Sequence, residues 1–228
     1  GVPTSPPDAS LPPLAEELRR DLTHLPAFAI DDEGSTDPDD AISLETTSDG
    51  HRLWVHVADV AALVPPHSEV DQEARARGAT LYLPDGKVPM LPPEAVRRLG
   101  MGRQEVSPAL SFALDVGADG EVHVVEVVPS QVRVTRLTYE EAETQIEEDP
   151  FRDLHRLARV FQARRRENGA VRIDLPEVDV HVVDGEVVIR PLLPLRSRAL
   201  VREAMLMAGE AIAGYALDEG IPLPYTTQ

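Results

Sequence analysis

Three of the chain's four Asp-Gly pairs, Asp49-Gly50, Asp119-Gly120 and Asp184-Gly185, each stand between two runs rich in Val, Ile and Leu. Asp-Gly tolerates the positive φ that a tight reversal demands, so each pair marks a hairpin between neighbouring strands. The run from Arg52 to Val60 (RLWVHVADV) alternates with period two and puts Leu53, Val55 and Val57 on one face. Before it, Phe28 to Ile30 and Ala41 to Glu45 read as two further strands. Ala109–Val116, Glu121–Val128 and Gln131–Leu137 then read as consecutive antiparallel strands, and strands are also expected around Val171, at Val178–Val183 and at Glu186–Leu192.

Helices fall between these runs. Glu69 to Arg77 reads as an exposed helix, and Pro92 to Leu99 as another with proline near its start. Thr138-Tyr139-Glu140-Glu141 is a capping box, in which the first side chain and the fourth each bind the other's backbone N–H. Asp149-Pro150 is expected to cap a helix that Asn168-Gly169 stops, and Ser197 to Asp218 is long, Ala/Met/Leu-rich and expected to be largely buried. Strands in series with helices set between them predict an α+β fold: a mixed, largely antiparallel sheet with packed helices. Residues 1–20 are expected to be a leader or linker, with five prolines in the first 13 positions and a short amphipathic helix from Leu14 to Leu22 at its end. The domain proper is expected to span 21–228.

Composition removes several classes. The 228 residues contain no Cys, so thiolate zinc and disulfides are excluded. No apolar run reaches membrane-spanning length, no secretory signal opens the chain, and no Gly-rich nucleotide loop occurs. A cytoplasmic, monomeric protein is the expectation. Acidic residues outnumber basic ones 40 to 22, for a net charge of −18, which argues against a passive nucleic-acid coat. Of the basic residues all but Lys87 are Arg.

The densest charge lies in Ile30-Asp31-Asp32-Glu33-Gly34-Ser35-Thr36-Asp37-Pro38-Asp39-Asp40-Ala41, six carboxylates in ten residues between two apolar strands. Carboxylates this close raise one another's pKa unless they are fully solvated or a cation neutralises them. An acidic surface turn satisfies the first condition; oxygen-only ligands for Mg²⁺ or Mn²⁺ satisfy the second. A calcium loop fails, because Gly and Glu do not fall at its required positions. The flanks favour the metal reading: Asp31 ends one strand and Asp40 opens the next, so both ride on rigid elements with Asp37 and Asp39 between them. Carboxylates aimed at hard cations are a recurrent apparatus for cutting phosphodiesters.

The string of motifs resembles the catalytic domain of the RNB family, the exoribonucleases of the ribonuclease II and ribonuclease R type. Asp21-Leu22-Thr23, Ile30-Asp31, Asp37-Pro38-Asp39-Asp40-Ala41 and Val55-His56-Val57-Ala58-Asp59-Val60 carry the resemblance. It continues through Tyr82-Leu83-Pro84, Val88-Pro89-Met90-Leu91-Pro92, Arg136-Leu137-Thr138-Tyr139 and Glu203-Ala204-Met205. The resemblance implies processive Mg²⁺-dependent hydrolysis of single-stranded RNA from the 3′ end to nucleoside 5′-monophosphates. By position, Asp31, Asp37, Asp39 and Asp40 match the family's active-site aspartates and metal ligands, Tyr82 an aromatic that stacks on the 3′-terminal base, and Tyr139 a tyrosine near the RNA path. Arg172 stands where a base-clamping Phe is usual, and Arg202 where a Glu is. Asp32 and Glu33 match no catalytic position, and His56 and Asp59 read as structural.

No segment of the Ser-Pro-Ile-Arg-Arg-Tyr kind follows, and no OB-fold module is recognisable, so the chain is expected to be the first part of such a domain, with further RNA-binding domains outside it. Arg152, Arg156 and Arg159 share one face of a predicted helix and form a candidate RNA contact, against the alternative of a solvated charged face. The rival function is a catalytically inactive RNA-binding regulator on the same fold.

Overall fold

A computed structural model describes residues 4–48, 50–171, 177–183 and 185–226. The main sheet has seven strands: β1 (Arg20–Asp21), β2 (Ala27–Asp31), β3 (Asp40–Thr47), β4 (Gly50–Ala58), β7 (Ser107–Val116), β8 (Val122–Val132) and β9 (Val134–Thr138). Two hairpins stand apart from it, β5 (Leu81–Leu83) with β6 (Gly86–Val88), and β10 (Val178–Val183) with β11 (Glu186–Pro191). The helices are α1 (Glu69–Arg77), α2 (Pro93–Leu99), α3 (Tyr139–Thr144), α4 (Phe151–Glu167) and α5 (Arg196–Glu219). This is the α+β arrangement expected, mixed and largely antiparallel.

Strand order is β1-β8-β7-β4-β3-β2-β9, with β1/β8 and β2/β9 parallel and the other pairs antiparallel. The sequence reading of Gln131–Leu137 as one more antiparallel neighbour is therefore corrected. β8 runs through to Val132, and after Arg133 the chain re-enters the sheet at its opposite edge beside β2. Five strand spacings would separate β8 from β9 in a flat sheet by about 24 Å, whereas one intervening residue reaches only about 7 Å. The sheet must curl until its edges meet.

The two faces of that curl differ. One packs Ile30, Ile42, Leu53, Val55 and Leu114 against α3, α4 and α5, notably Phe151, Phe161 and Met207. The other is lined by small groups, Ala29, Ala41, Ala109 and Ala113, around Trp54, because an inward-curving face has little room. Within it His56 is fully buried, with Nε2 2.9 Å from Ser43 Oγ and Nδ1 2.6 Å from Ser111 Oγ. Ser111 in turn meets Ser130 Oγ at 2.5 Å, and Ser130 donates to the Ala109 carbonyl at 3.4 Å. A neutral imidazole donating from Nδ1 satisfies this whole chain. Burial drives the His56 pKa down to about 3, which fits the structural role read from the sequence.

The expected helix at Leu14–Leu22 does not form. Ala15 donates its N–H to the Ala62 carbonyl, Leu11 and Leu14 pack beside Leu63, Ala95 and Leu99, and Leu18 is left 96% exposed. Arg19 then bonds Asp59 at 2.8 Å with both side chains buried. The proline-rich stretch is tied down as well: Ser5 and Pro12 offer carbonyls to Arg77 and Arg98. The Thr138/Glu141 capping box forms as expected. The α4 cap does not: the N-cap is Pro150 without a side-chain bond, and Asp149 instead accepts from Arg152. Val171 is exposed and unpaired in any strand, and Arg172 lies outside the described residues.

Candidate active site

β2 and β3 are antiparallel neighbours joined by the acidic loop, so Asp31 and Asp40 leave the sheet at the same end. The loop is held from several sides. Ser35 N–H bonds the Asp32 carbonyl in a turn whose Gly34 takes φ +81°, a conformation that favours glycine. Met101 N–H bonds the Pro38 carbonyl at 2.9 Å, and Ala58 N–H bonds that of Asp39 at 2.8 Å. Arg136 reaches the Ser35 carbonyl at 2.7 Å, and Arg103 bonds that of Thr36. A loop so fixed delivers its carboxylates to one region rather than splaying them.

The electrostatics record that convergence. Burial raises the Asp31 carboxyl, with Asp32 and Asp37 adding to it against the Ser35 hydroxyl and Arg136. Desolvation in the loop, then the charges of Asp37 and Asp31, raise Asp39, although its side chain reaches solvent. Asp40 is pushed up to about 6 by burial, then by Asp31 and Asp39. Asp37 is the exception: burial opposes ionisation there, but the Lys87 ammonium 2.6 Å away, with the Tyr82 and Thr36 hydroxyls, outweighs it and holds the carboxyl low. The four aspartates named from the sequence thus share one charged neighbourhood.

Two tyrosines border it. Tyr82, on β5, donates its hydroxyl to Asp37 at 3.1 Å and is 70% exposed. Its phenol is pushed up to about 12 by burial of the hydroxyl end, then by the charge of Asp37. Tyr139 begins α3, and burial followed by the charges of Asp31 and Asp32 likewise pushes it up to about 12. The Arg198 guanidinium lies over the Tyr139 ring and binds the Asp32 carboxylate. Asp32 is therefore ion-paired while its side chain stays exposed. Sequence reading noted Lys87 and Arg136 without assigning them to the loop. The one available signal was Lys87 itself, a single lysine in an arginine-dominated chain.

The remaining candidates lie elsewhere. Arg152 pairs with Asp149 just ahead of α4 and Arg156 with Asp153 on it, and Arg159 lines a cleft of about 240 Å³ between α4 and α5 with His155, Gln162 and Arg196. Among the described residues, no hydrogen bond or ion pair joins these three arginines to the acidic loop. Arg202 folds back onto Glu203, a buried carboxylate that also accepts from Gln162 and Arg165 at 3.1 Å.

The donor set suits a hard divalent cation: oxygen atoms only, with three carboxyls whose negative charge is disfavoured by burial and by one another. Among the described residues no group of three such side chains is already arranged to hold an ion. The chemistry fits, while the enclosure requires side-chain movement.

A family model for the RNB domain matches residues 19–228. The chain belongs to the RNB-domain family. It is 40% identical over 228 residues to a Synechocystis protein named as an uncharacterized ribonuclease, a match that covers 95% of this chain and 34% of the relative. In fold it resembles Mycoplasma genitalium RNase R in complex with ribose-methylated single-stranded RNA, with a TM-score of 0.82 at 24% identity, covering 91% of this chain and 35% of that one. It also resembles yeast Ssd1, a pseudonuclease, with a TM-score of 0.70 at 21% identity, covering 91% and 28%. The chain spans about a third of the length of the relatives it matches. No helix among the described residues is long and apolar enough to cross a membrane.

Proposed function

We propose that the chain carries the carboxylate half of a 3′→5′ exoribonuclease site acting on single-stranded RNA. One observation carries the reading. Asp31, Asp37, Asp39 and Asp40 sit at one end of two paired strands and on the fixed loop between them, within reach of one another's charge, beside the exposed Tyr82. Asp31, Asp39 and Asp40 would hold Mg²⁺, or Mn²⁺, with Asp37 on the hairpin side. The ion would supply Lewis-acid polarisation of the phosphate and a water of lowered pKa.

The protein's own groups do the rest. Tyr82 offers a ring face to the terminal base. Asp39, reaching solvent, is placed to accept a proton from the attacking water. In the hydrolysis, water oxygen bonds to phosphorus, and the bond from phosphorus to the 3′ oxygen of the preceding nucleotide breaks. That oxygen takes a proton, and a nucleoside 5′-monophosphate leaves. The relatives named as ribonucleases, and a fold neighbour in complex with ribose-methylated single-stranded RNA, support this reading.

The rival is an RNA-binding regulator without catalysis, which the likeness to a pseudonuclease keeps in play. The test incubates the full-length protein with 5′-labelled single-stranded RNA in Mg²⁺ or EDTA. Stepwise shortening that EDTA abolishes, and that Asp39→Asn stops while RNA stays bound, is the expected result. Binding without shortening under any divalent metal would leave the regulator.

A further inference from the structure

Tyr82 and Lys87 are directly opposite each other in the β5–β6 hairpin, so their side chains leave the same face. They close on a single carboxylate from both sides: Tyr82 Oη lies 3.1 Å from Asp37 Oδ2, and Lys87 Nζ lies 2.6 Å from Asp37 Oδ1. Lys87 also bonds the Thr36 hydroxyl. The hairpin has little else to place it. All three β5 side chains are exposed, Leu81 at 36%, Tyr82 at 70% and Leu83 at 50%. A two-stranded hairpin without a buried apolar face does not fix its own position. At its tip the Pro84 carbonyl accepts one bond, 2.8 Å, from Val182 N–H of the other hairpin. At its base Met90 N–H bonds Thr80 Oγ1 at 3.1 Å.

We infer that Lys87 is a positioning residue: its bonds to Asp37 and Thr36 hold the β5–β6 hairpin against the acidic loop and so set where the Tyr82 ring stands relative to the carboxylates. The inference rests on the reading of Tyr82 as a base-stacking residue and adds what orients it. The Tyr82 hydroxyl alone is one bond at the end of an exposed side chain. The Lys87 bond is charge-assisted, 2.6 Å long and half-shielded, with the lysine side chain 28% and the aspartate 18% exposed, so it dominates the attachment. Lysine suits the place because a compact ammonium can donate to a carboxylate and a neighbouring hydroxyl together.

The test measures fluorescence of a single-stranded RNA carrying 2-aminopurine at its 3′ end, in EDTA so that the RNA stays intact. Wild-type chain should quench the probe by stacking, and Tyr82→Ala should abolish the quench. Lys87→Met should weaken the quenched complex about tenfold, the scale of one lost charge-assisted hydrogen bond. Its urea midpoint should stay unchanged, because the hairpin contributes little to the core. Lys87→Arg should restore most of the quench. If wild type quenches and Lys87→Met quenches equally, or if Lys87→Met lowers the urea midpoint in step with the quench, the positioning role is wrong while the stacking reading survives. If wild type gives no quench, or Tyr82→Ala retains it, the stacking reading fails and takes this inference with it.

Discussion

The guanidinium carbon of Arg198 lies 4.2 Å from the centre of the Tyr139 ring while the same group grips the Asp32 carboxylate. One residue of α5 thereby joins the start of α3 to the acidic loop. Removing it uncovers the ring and frees Asp32, so Arg198→Ala should destabilise the chain by about 1–2 kcal/mol. A double-mutant cycle with Tyr139→Leu, read from urea unfolding, should give a coupling of about 0.5–2 kcal/mol. A coupling indistinguishable from zero would show that the stacked arrangement contributes nothing.

His56 should make stability depend on pH. Burial lowers its folded pKa to about 3, against 6.5 for the ordinary side chain. As pH falls, the unfolded chain takes up the proton first, so the contribution is complete above pH 6.5 and shrinks between there and 3. At pH 5 the loss is about 2 kcal/mol. Asp40, whose carboxyl is pushed up to about 6, acts with the opposite sign, because folding favours its protonated form. The difference between wild type and His56→Gln, measured by urea unfolding at pH 7 and at pH 5, isolates the imidazole. Parallel pH profiles for the two would refute the buried neutral His.

Repulsion within the acidic loop predicts a gain of stability on removing charge. In EDTA at pH 7, Asp40→Asn should be more stable than wild type by about 1–3 kcal/mol, since it relieves a buried carboxylate crowded by Asp31 and Asp39. Mg²⁺ should raise the Tm of wild type and leave that of Asp40→Asn nearly unchanged. A variant that is less stable in EDTA would mean the carboxylate is already compensated.

Glu203 is a structural anchor in this chain. It is 3% exposed and accepts from Gln162, Arg165 and Arg202. Glu203→Ala would leave Arg165 facing a hole, and a loss of about 3–5 kcal/mol is expected, seen as a lower urea midpoint. If the unfolding free energy falls by less than about 1 kcal/mol, α4 and α5 do not depend on this pairing.

Tyr82→Ala should change the length of the shortest oligonucleotide left at the end of a digestion of 5′-labelled RNA, because the ring would no longer grip the terminal base. Gel analysis of the limit product decides it, and an unaltered ladder would remove Tyr82 from the RNA path.

What the sequence made legible was local. The period-two run at Arg52–Val60, the Thr138/Glu141 capping box and the aspartates on either side of a turn all depend on residues a few positions apart, and each formed. What it hid was long-range. Nothing near Arg133 signals that β9 will pair with β2 rather than continue beside β8, since the partner lies about a hundred residues earlier. Leu14–Leu22 had a helical pattern, but the Ala62 carbonyl and the Asp59 carboxylate claimed its polar groups instead. Arg136, Arg198 and Lys87 reach the acidic loop from three separate elements, and no spacing rule could have assembled them.

The passage from β8 to β9 through Arg133 makes the seam of the curled sheet covalent. A slip of one position along β8 beyond its bulge at Val125 has no loop to absorb it and must be handed on to β9, whose Thr138 is the register partner of Asp31. Strand alignment on the far wall is in this way mechanically geared to the depth at which a carboxylate enters the cluster. Changes around Pro129 to Val134 should therefore behave as active-site changes although none of those side chains belongs to it.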